Sequence, residues 1–163
     1  MEIDVVPTLI EQFRETFEGT VHPGRCWITD GPPESAVFGT VATLNSEEAF
    51  AVPVEGARSV AAHVAHLRFS LDLTSERLRG KNPAADWKSS FDVRDATAAG
   101  WEALNGDLRR AYDEVVTLLE ARRAQPVQEW PPIILVGMAA ITAHNAYHLG
   151  AIRQIASVVR RRA

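Results

Sequence analysis

The chain has 163 residues, 46% of them apolar and 23% charged, with a formal net charge of −4. That length implies one domain whose core needs no disulfide, and the acidic balance excludes the basic footprint of a nucleic-acid binder. Cys26 is the single cysteine, so an intramolecular disulfide is excluded and a reducing compartment is expected. The start, Met1-Glu2-Ile3-Asp4, has neither the basic nor the apolar region of a secretory signal, which gives a cytoplasmic expectation.

The first helical pattern covers about residues 4–17, where Val5, Leu9, Phe13 and Phe17 recur at spacings of four. The stretch 21–33 is rich in Pro and Gly and is expected to be a loop. It carries His22, read as a surface histidine, and Cys26, which could be a reactive thiol but has only Arg25 as basic surroundings and is read as a half-buried bystander. A short helical pattern follows at about 34–44, and 45–53 looks irregular. The second long helix is expected at about 59–80, with Ser59 as N-cap, Val60, Val64, Leu67, Leu71 and Leu78 as its stripe, and Gly80 as its stop. Residues 83–91 form a loop containing Trp87. The third long helix, about 93–123, places Trp101, Leu104, Leu108, Tyr112, Val115 and Leu119 on one face, with Asp92 or Asp95 as cap. Pro126, Pro131 and Pro132 break the chain before the fourth helix, about 132–161. Its longest apolar run, near 133–143, is too short to span a bilayer and ends in histidines. Arg160-Arg161-Arg162 complement the helix dipole or are simply solvated. With no strand alternation and no repeat, the sum is an all-α four-helix bundle with an extra short helix in the first connection.

The chemistry concentrates in histidines. His144 and His148 are four apart, so their Cβ atoms lie on one helix face roughly 5–6 Å from each other. Ile133, Gly137, Ile141, His144, His148, Ile152, Ile155 and Val159 step along at spacings of three and four, which predicts that this face is buried. Buried imidazoles need partners, either a metal ion or hydrogen bonds to backbone and acids. Spacing alone leaves both readings open. Asn145 stands where the HExxH metalloprotease motif has its Glu, which argues against that chemistry. Asn145, Tyr147 and Arg153 are expected to point mostly away from the histidine face. A third ligand would come from another helix, and His63 and His66 both qualify; periodicity does not choose between them. Three neutral nitrogens suit Zn²⁺ or Ni²⁺ and leave a coordination position open. Such an ion would lower the pKa of a bound water or thiol. Arg68 and Arg153 could bind an anionic substrate but are expected in salt bridges, and Trp27, Trp87 and Trp101 could wall a pocket but are expected in the core.

Three stretches, in this order, resemble the DinB-like (DinB/YfiT-like) superfamily. They are Ser59-Val60-Ala61-Ala62-His63-Val64-Ala65-His66-Leu67; Asp86-Trp87-Lys88-Ser89-Ser90-Phe91 followed by Trp101; and His144-Asn145-Ala146-Tyr147-His148-Leu149-Gly150-Ala151-Ile152-Arg153-Gln154. The resemblance covers nearly the whole chain. It implies a single domain, residues 1–163, with helices in up-down-down-up order. It also implies a divalent metal held by His66, His144 and His148. His66 is preferred because the family's ligand directly precedes a Leu or Ile; His63 is then an extra histidine that either supports a metal-bound water from outside the ligand set or, as expected, simply packs. Characterised members include transferases and isomerases that use bacillithiol, mycothiol or glutathione. The expectation is therefore a metal-dependent enzyme of thiol-dependent transferase or isomerase type, or a hydrolase, acting on a small molecule. The alternative is a non-catalytic helical-bundle scaffold or ligand-binding module whose metal site is vacant or vestigial. A homodimer is expected because long helices offer flat faces; nucleic-acid and membrane partners are not.

Overall fold

A computed structural model of the protein describes residues 5–20, 24–123, 125–126 and 129–162. His22 and the Met1–Asp4 start lie outside the described residues. The described residues form helices and connecting turns, with no strand among them. Four helices are long: α1 (Val6–Glu18), α4 (Val60–Leu78), α5 (Ala98–Arg123) and α6 (Pro132–Arg160). Two short ones, α2 (Val37–Ala42) and α3 (Ser46–Phe50), fill the first connection.

Capping chemistry sets the boundaries. The Ser59 hydroxyl accepts from the Ala62 N–H at 3.2 Å and starts α4 as expected. Helix α5 begins at Ala98, later than its apolar pattern suggested. The cap is Thr97, whose hydroxyl accepts from the Gly100 N–H at 3.1 Å. Asp95 does not cap the helix itself; it accepts from the N–H and hydroxyl of Thr97 at 2.9 and 2.7 Å. The stretch expected to be irregular after Leu44 contains α3. Asn45 accepts from the Glu48 N–H at 2.8 Å, and the Glu48 carboxylate accepts from the Asn45 N–H at 3.0 Å. That reciprocal box stabilises a helix of only five residues. Gly39 permits the tight fold-back before α2, since a Cβ there would lie 2.1 Å from the Pro33 carbonyl oxygen.

Helix α4 packs against both α5 and α6, and α1 packs against α6, α2 and α5. The expected stripes of α4 and α5 are buried, apart from a partly buried Leu104. At one end Phe13, Phe17, Phe38 and Tyr112 form a ring cluster with centroids 4.9–5.6 Å apart, each burying large apolar area. Trp101 is buried as expected and donates its indole N–H to the Leu44 carbonyl at 3.1 Å. Trp27 is 79% exposed and Trp87 46% exposed, so neither is a core residue. Cys26 is exposed, not half-buried, because its loop lies over the surface of α1.

The loop is held by a group the sequence did not suggest. Glu15, on α1, is buried, and one of its carboxylate oxygens accepts from the N–H groups of Trp27, Ile28 and Thr29 at 2.9, 2.8 and 2.9 Å. The Thr29 hydroxyl adds a fourth contact at 3.2 Å. The C-terminal arginines also fasten the first connection instead of standing free: Arg160 pairs with Glu48 at 3.2 Å and donates to the Thr43 hydroxyl at 2.9 Å, and Arg162 donates to the Pro53 carbonyl.

Helix α6 departs from its expected face. Its buried stripe is Met138, Thr142, Asn145, Leu149, Ile152, Ala156 and Val159, together with His148. Ile133 and Gly137 are exposed, and Ile141 and Ile155 are half-buried. The helix is apolar around much of its circumference, so periodicity could not single out the face that packs. For the same reason α6 is long and apolar enough to cross a membrane on length and composition, contrary to the sequence expectation. Its buried stripe packs on α1 and α4.

Candidate metal centre

Where α4 meets α6, His66 and His148 are buried and His144 is half-buried. One ring nitrogen from each lies within 4.8 Å of those from the other two. His66 Nε2 and His144 Nε2 are 3.1 Å apart. The third wall is the turn Ser89–Phe91, fastened by Asp86, whose carboxylate accepts from the Lys88 N–H at 3.1 Å and the Ser89 N–H at 3.3 Å.

The hydrogen bonds assign the proton on His66. The Ser90 hydroxyl donates to the Trp87 carbonyl at 2.7 Å. Its one proton is thereby used, so its oxygen accepts from His66 Nδ1–H at 2.6 Å. His66 Nε2 therefore carries a lone pair, and His144 Nε2–H is the donor across the 3.1 Å contact. His63 Nδ1 lies 2.8 Å from His148 Nδ1, so one of those nitrogens donates to the other. His63 does more than pack, then: it touches His148 directly, although it does not belong to the convergent set of three. The Phe91 ring stacks on His66 at 4.0 Å with an 8° interplanar angle, and the Arg58 guanidinium lies 3.8 Å from the Phe91 centroid.

All four imidazoles are pushed toward the neutral form. Burial is the largest cause, bringing His148 down to about 3 and His66 down to about 4. The neighbouring histidines and the Arg58 cation add to the shift at both. Burial also lowers His144, and burial followed by Arg58 lowers His63. A set of neutral nitrogens with no carboxylate in the group is the donor chemistry of a borderline divalent ion. The residues present thus allow metal binding.

The other sequence candidates are placed elsewhere. Arg68 pairs with Asp72 at 2.8 Å, Arg153 pairs with Asp30, and Tyr147 is exposed. Asn145 lies on the buried stripe of α6 together with His148, and its enclosed amide has no hydrogen-bond partner among the described residues. Sequence reasoning missed Ser90, Phe91 and Arg58 as members of the site. Ser90 and Phe91 do fall inside the Asp86–Phe91 stretch that carried the family resemblance. A cavity of about 790 Å³ opens beside His144, with Trp87, Met138 and Ile141 in its wall.

The family model described as DinB superfamily matches residues 34–152, more than half of the chain. No curated protein and no solved structure matched it.

Proposed function

The chain belongs to the DinB superfamily, and from that premise we propose that it is a metal-dependent enzyme whose ion is held by His66, His144 and His148. The observation that carries this reading is the convergence of three ring nitrogens within 4.8 Å from two helices. When bound, a divalent ion such as Zn²⁺ or Ni²⁺ supplies a Lewis acid that acidifies a thiol or a water molecule presented to it.

The protein's own groups prepare the three rings. Ser90 fixes the proton of His66 on Nδ1 and so keeps the Nε2 lone pair facing His144. In this reading His63 accepts from His148 Nδ1–H, which leaves His148 Nε2 as the nitrogen that ligates. Phe91 braces the His66 ring from its flat side. The depressed basicity of the imidazoles keeps them unprotonated well below neutral pH.

No carboxylate shares the cluster among the described residues, so no ready general base adjoins it. That favours transfer or isomerisation through a low-molecular-weight thiol over hydrolysis. A thiol begins at a pKa of about 8.5, whereas water begins near 15.7 and needs far more help. The same reading takes α1, α4, α5 and α6 in up-down-down-up order, a cytoplasmic location, a small-molecule substrate and a homodimer.

The test is metal analysis of purified, untagged protein beside the His144→Ala/His148→Ala double variant. About one ion per chain in the first and none in the second supports the assignment. Absence of metal from both, even after Zn²⁺ or Ni²⁺ is added, rejects it in favour of a bundle whose histidines are merely hydrogen-bonded.

A further inference from the structure

We propose that the cavity beside His144 binds an elongated, mainly apolar molecule with one anionic end. The proposal deepens the metal-enzyme reading and rests on it for which end of that molecule reacts. The cavity, about 790 Å³, is of a size that encloses small ligands. Leu78, Trp87, Ile134, Met138 and Ile141 give it an apolar wall, and His144 lies on its rim. Ser70, Thr74 and Arg77 line it along α4. At 1.5 Å per residue, Arg77 stands about 16 Å along the helix from His66, so the cavity has a histidine end and a distant end.

The charges are sorted between those ends. Arg77, Lys81 and Arg122 all line the cavity, and no Asp or Glu does among the described residues. In a chain of net charge −4 this is a local reversal of sign. Lys81 is partly neutralised by Glu76 at 2.7 Å. Arg77 and Arg122 form no ion pair among the described residues. Arg122 is nevertheless fixed in place, donating to the Leu78 carbonyl at 2.9 Å.

Between the ends, the α4 hydroxyls donate nothing to a second anion. The Ser70 hydroxyl gives its proton to the Leu67 carbonyl, and the Thr74 hydroxyl gives its proton to the Ser70 carbonyl, each at 2.8 Å. Both oxygens are left as acceptors only. An anion is therefore welcome at the arginine end and unwelcome along the Ser70–Thr74 face of α4. A carboxylate on the arginines and a hydrocarbon chain on the apolar wall leave the opposite end of the molecule at His144.

Titration calorimetry with octanoate and octan-1-ol, on the full chain, tests this. Octanoate is expected to bind about tenfold more tightly than the alcohol, and Arg77→Gln to remove most of that advantage while leaving the alcohol unchanged. Gly137 lines the cavity, and a Cβ there meets no atom within 4 Å. Gly137→Leu should therefore block both ligands without harm to the helix, since leucine is the better helix former. Equal affinity for octanoate and octan-1-ol overturns the proposal. So does octanoate binding that is indifferent to Arg77→Gln, or binding of both ligands that survives Gly137→Leu. Metal content, measured on the same samples, is a separate readout. Charge-dependent octanoate binding by a protein that takes up no ion would uphold the cavity and end the metal reading.

Discussion

Glu15 and His148 are equally buried, each 4% exposed, yet their surroundings differ in kind. One oxygen of Glu15 is saturated by three backbone N–H groups and a hydroxyl. Charge on that oxygen is compensated, and that oxygen has little bonding capacity left for anything else. His148 is touched by His63, faces His66 and His144, and feels the Arg58 cation. Its neighbours are groups of its own kind, with no acid among them to hold a proton in place. A saturated buried charge fastens a fold, whereas a buried cluster of like, neutral, lone-pair-bearing rings marks a place prepared for something else.

The contrast breaks most sharply at His148. His148→Ala should lower Zn²⁺ affinity by at least about a thousandfold, given the roughly 10 kcal/mol or more that a ligand set shares. The metal-free chain should lose only about 1–2 kcal/mol of stability, from the cavity left by the ring. Competition against a chromophoric chelator reads the first quantity, and an unaltered affinity would place the ligands elsewhere. Glu15→Ala should do the reverse. Stranding three N–H groups should cost about 3–5 kcal/mol in urea unfolding, with metal affinity intact. A cost below about 1 kcal/mol would mean that the loop rehydrates and the carboxylate is no fastener.

Smaller effects sharpen the picture within the cluster. His66→Ala should weaken metal binding far more than His63→Ala or Ser90→Ala, each of which should cost about 10–100-fold, as expected for groups that orient ligands. If His63→Ala and His66→Ala proved equivalent, His63 would itself be a ligand.

The subtlest effect is on pH. Unfolded histidine titrates near 6.5, but His66 is held at about 4 and His148 at about 3 in the fold. Between those values the unfolded chain binds more protons than the folded one. The stability these residues contribute is therefore complete above about pH 6.5 and is lost as pH falls toward 4 and below. By the same sign, ion release should fall well below the pH of about 6 that an ordinary imidazole would give. Melts from pH 7.5 to 4, with equilibrium dialysis of the metal, check both, and release centred at pH 6 would contradict the depressed values.

The long helices were legible because their apolar stripes and the Ser59 cap are local signals. The start of α5 was not, because Asp92, Asp95 and Thr97 are all capping residue types, and only the folded turn shows which hydroxyl meets the Gly100 N–H. The Asn45–Glu48 box is present in the sequence, but the helix it caps has five residues, too few to show an apolar period. The role of Glu15 had no sequence signature, since its partners are main-chain N–H groups of a distant loop. In the candidate site, spacing isolated His144 and His148, but the residues alone left His63 and His66 open. The family resemblance favoured His66, and the structure places it in the convergent group with His63 beside it. Ser90 needed tertiary information, because its turn reaches His66 only after folding back on α4.

Trp87 joins two parts of this arrangement through different atoms. Its indole is part of the cavity wall, while its main-chain carbonyl takes the Ser90 proton and so sets the tautomer of His66. Selection can therefore reshape the walls at this position without retuning the imidazole, because an exchanged side chain leaves the carbonyl in place. The converse holds for the backbone: a shift of this single peptide group would reach His66 through two hydrogen bonds, even with every histidine unchanged.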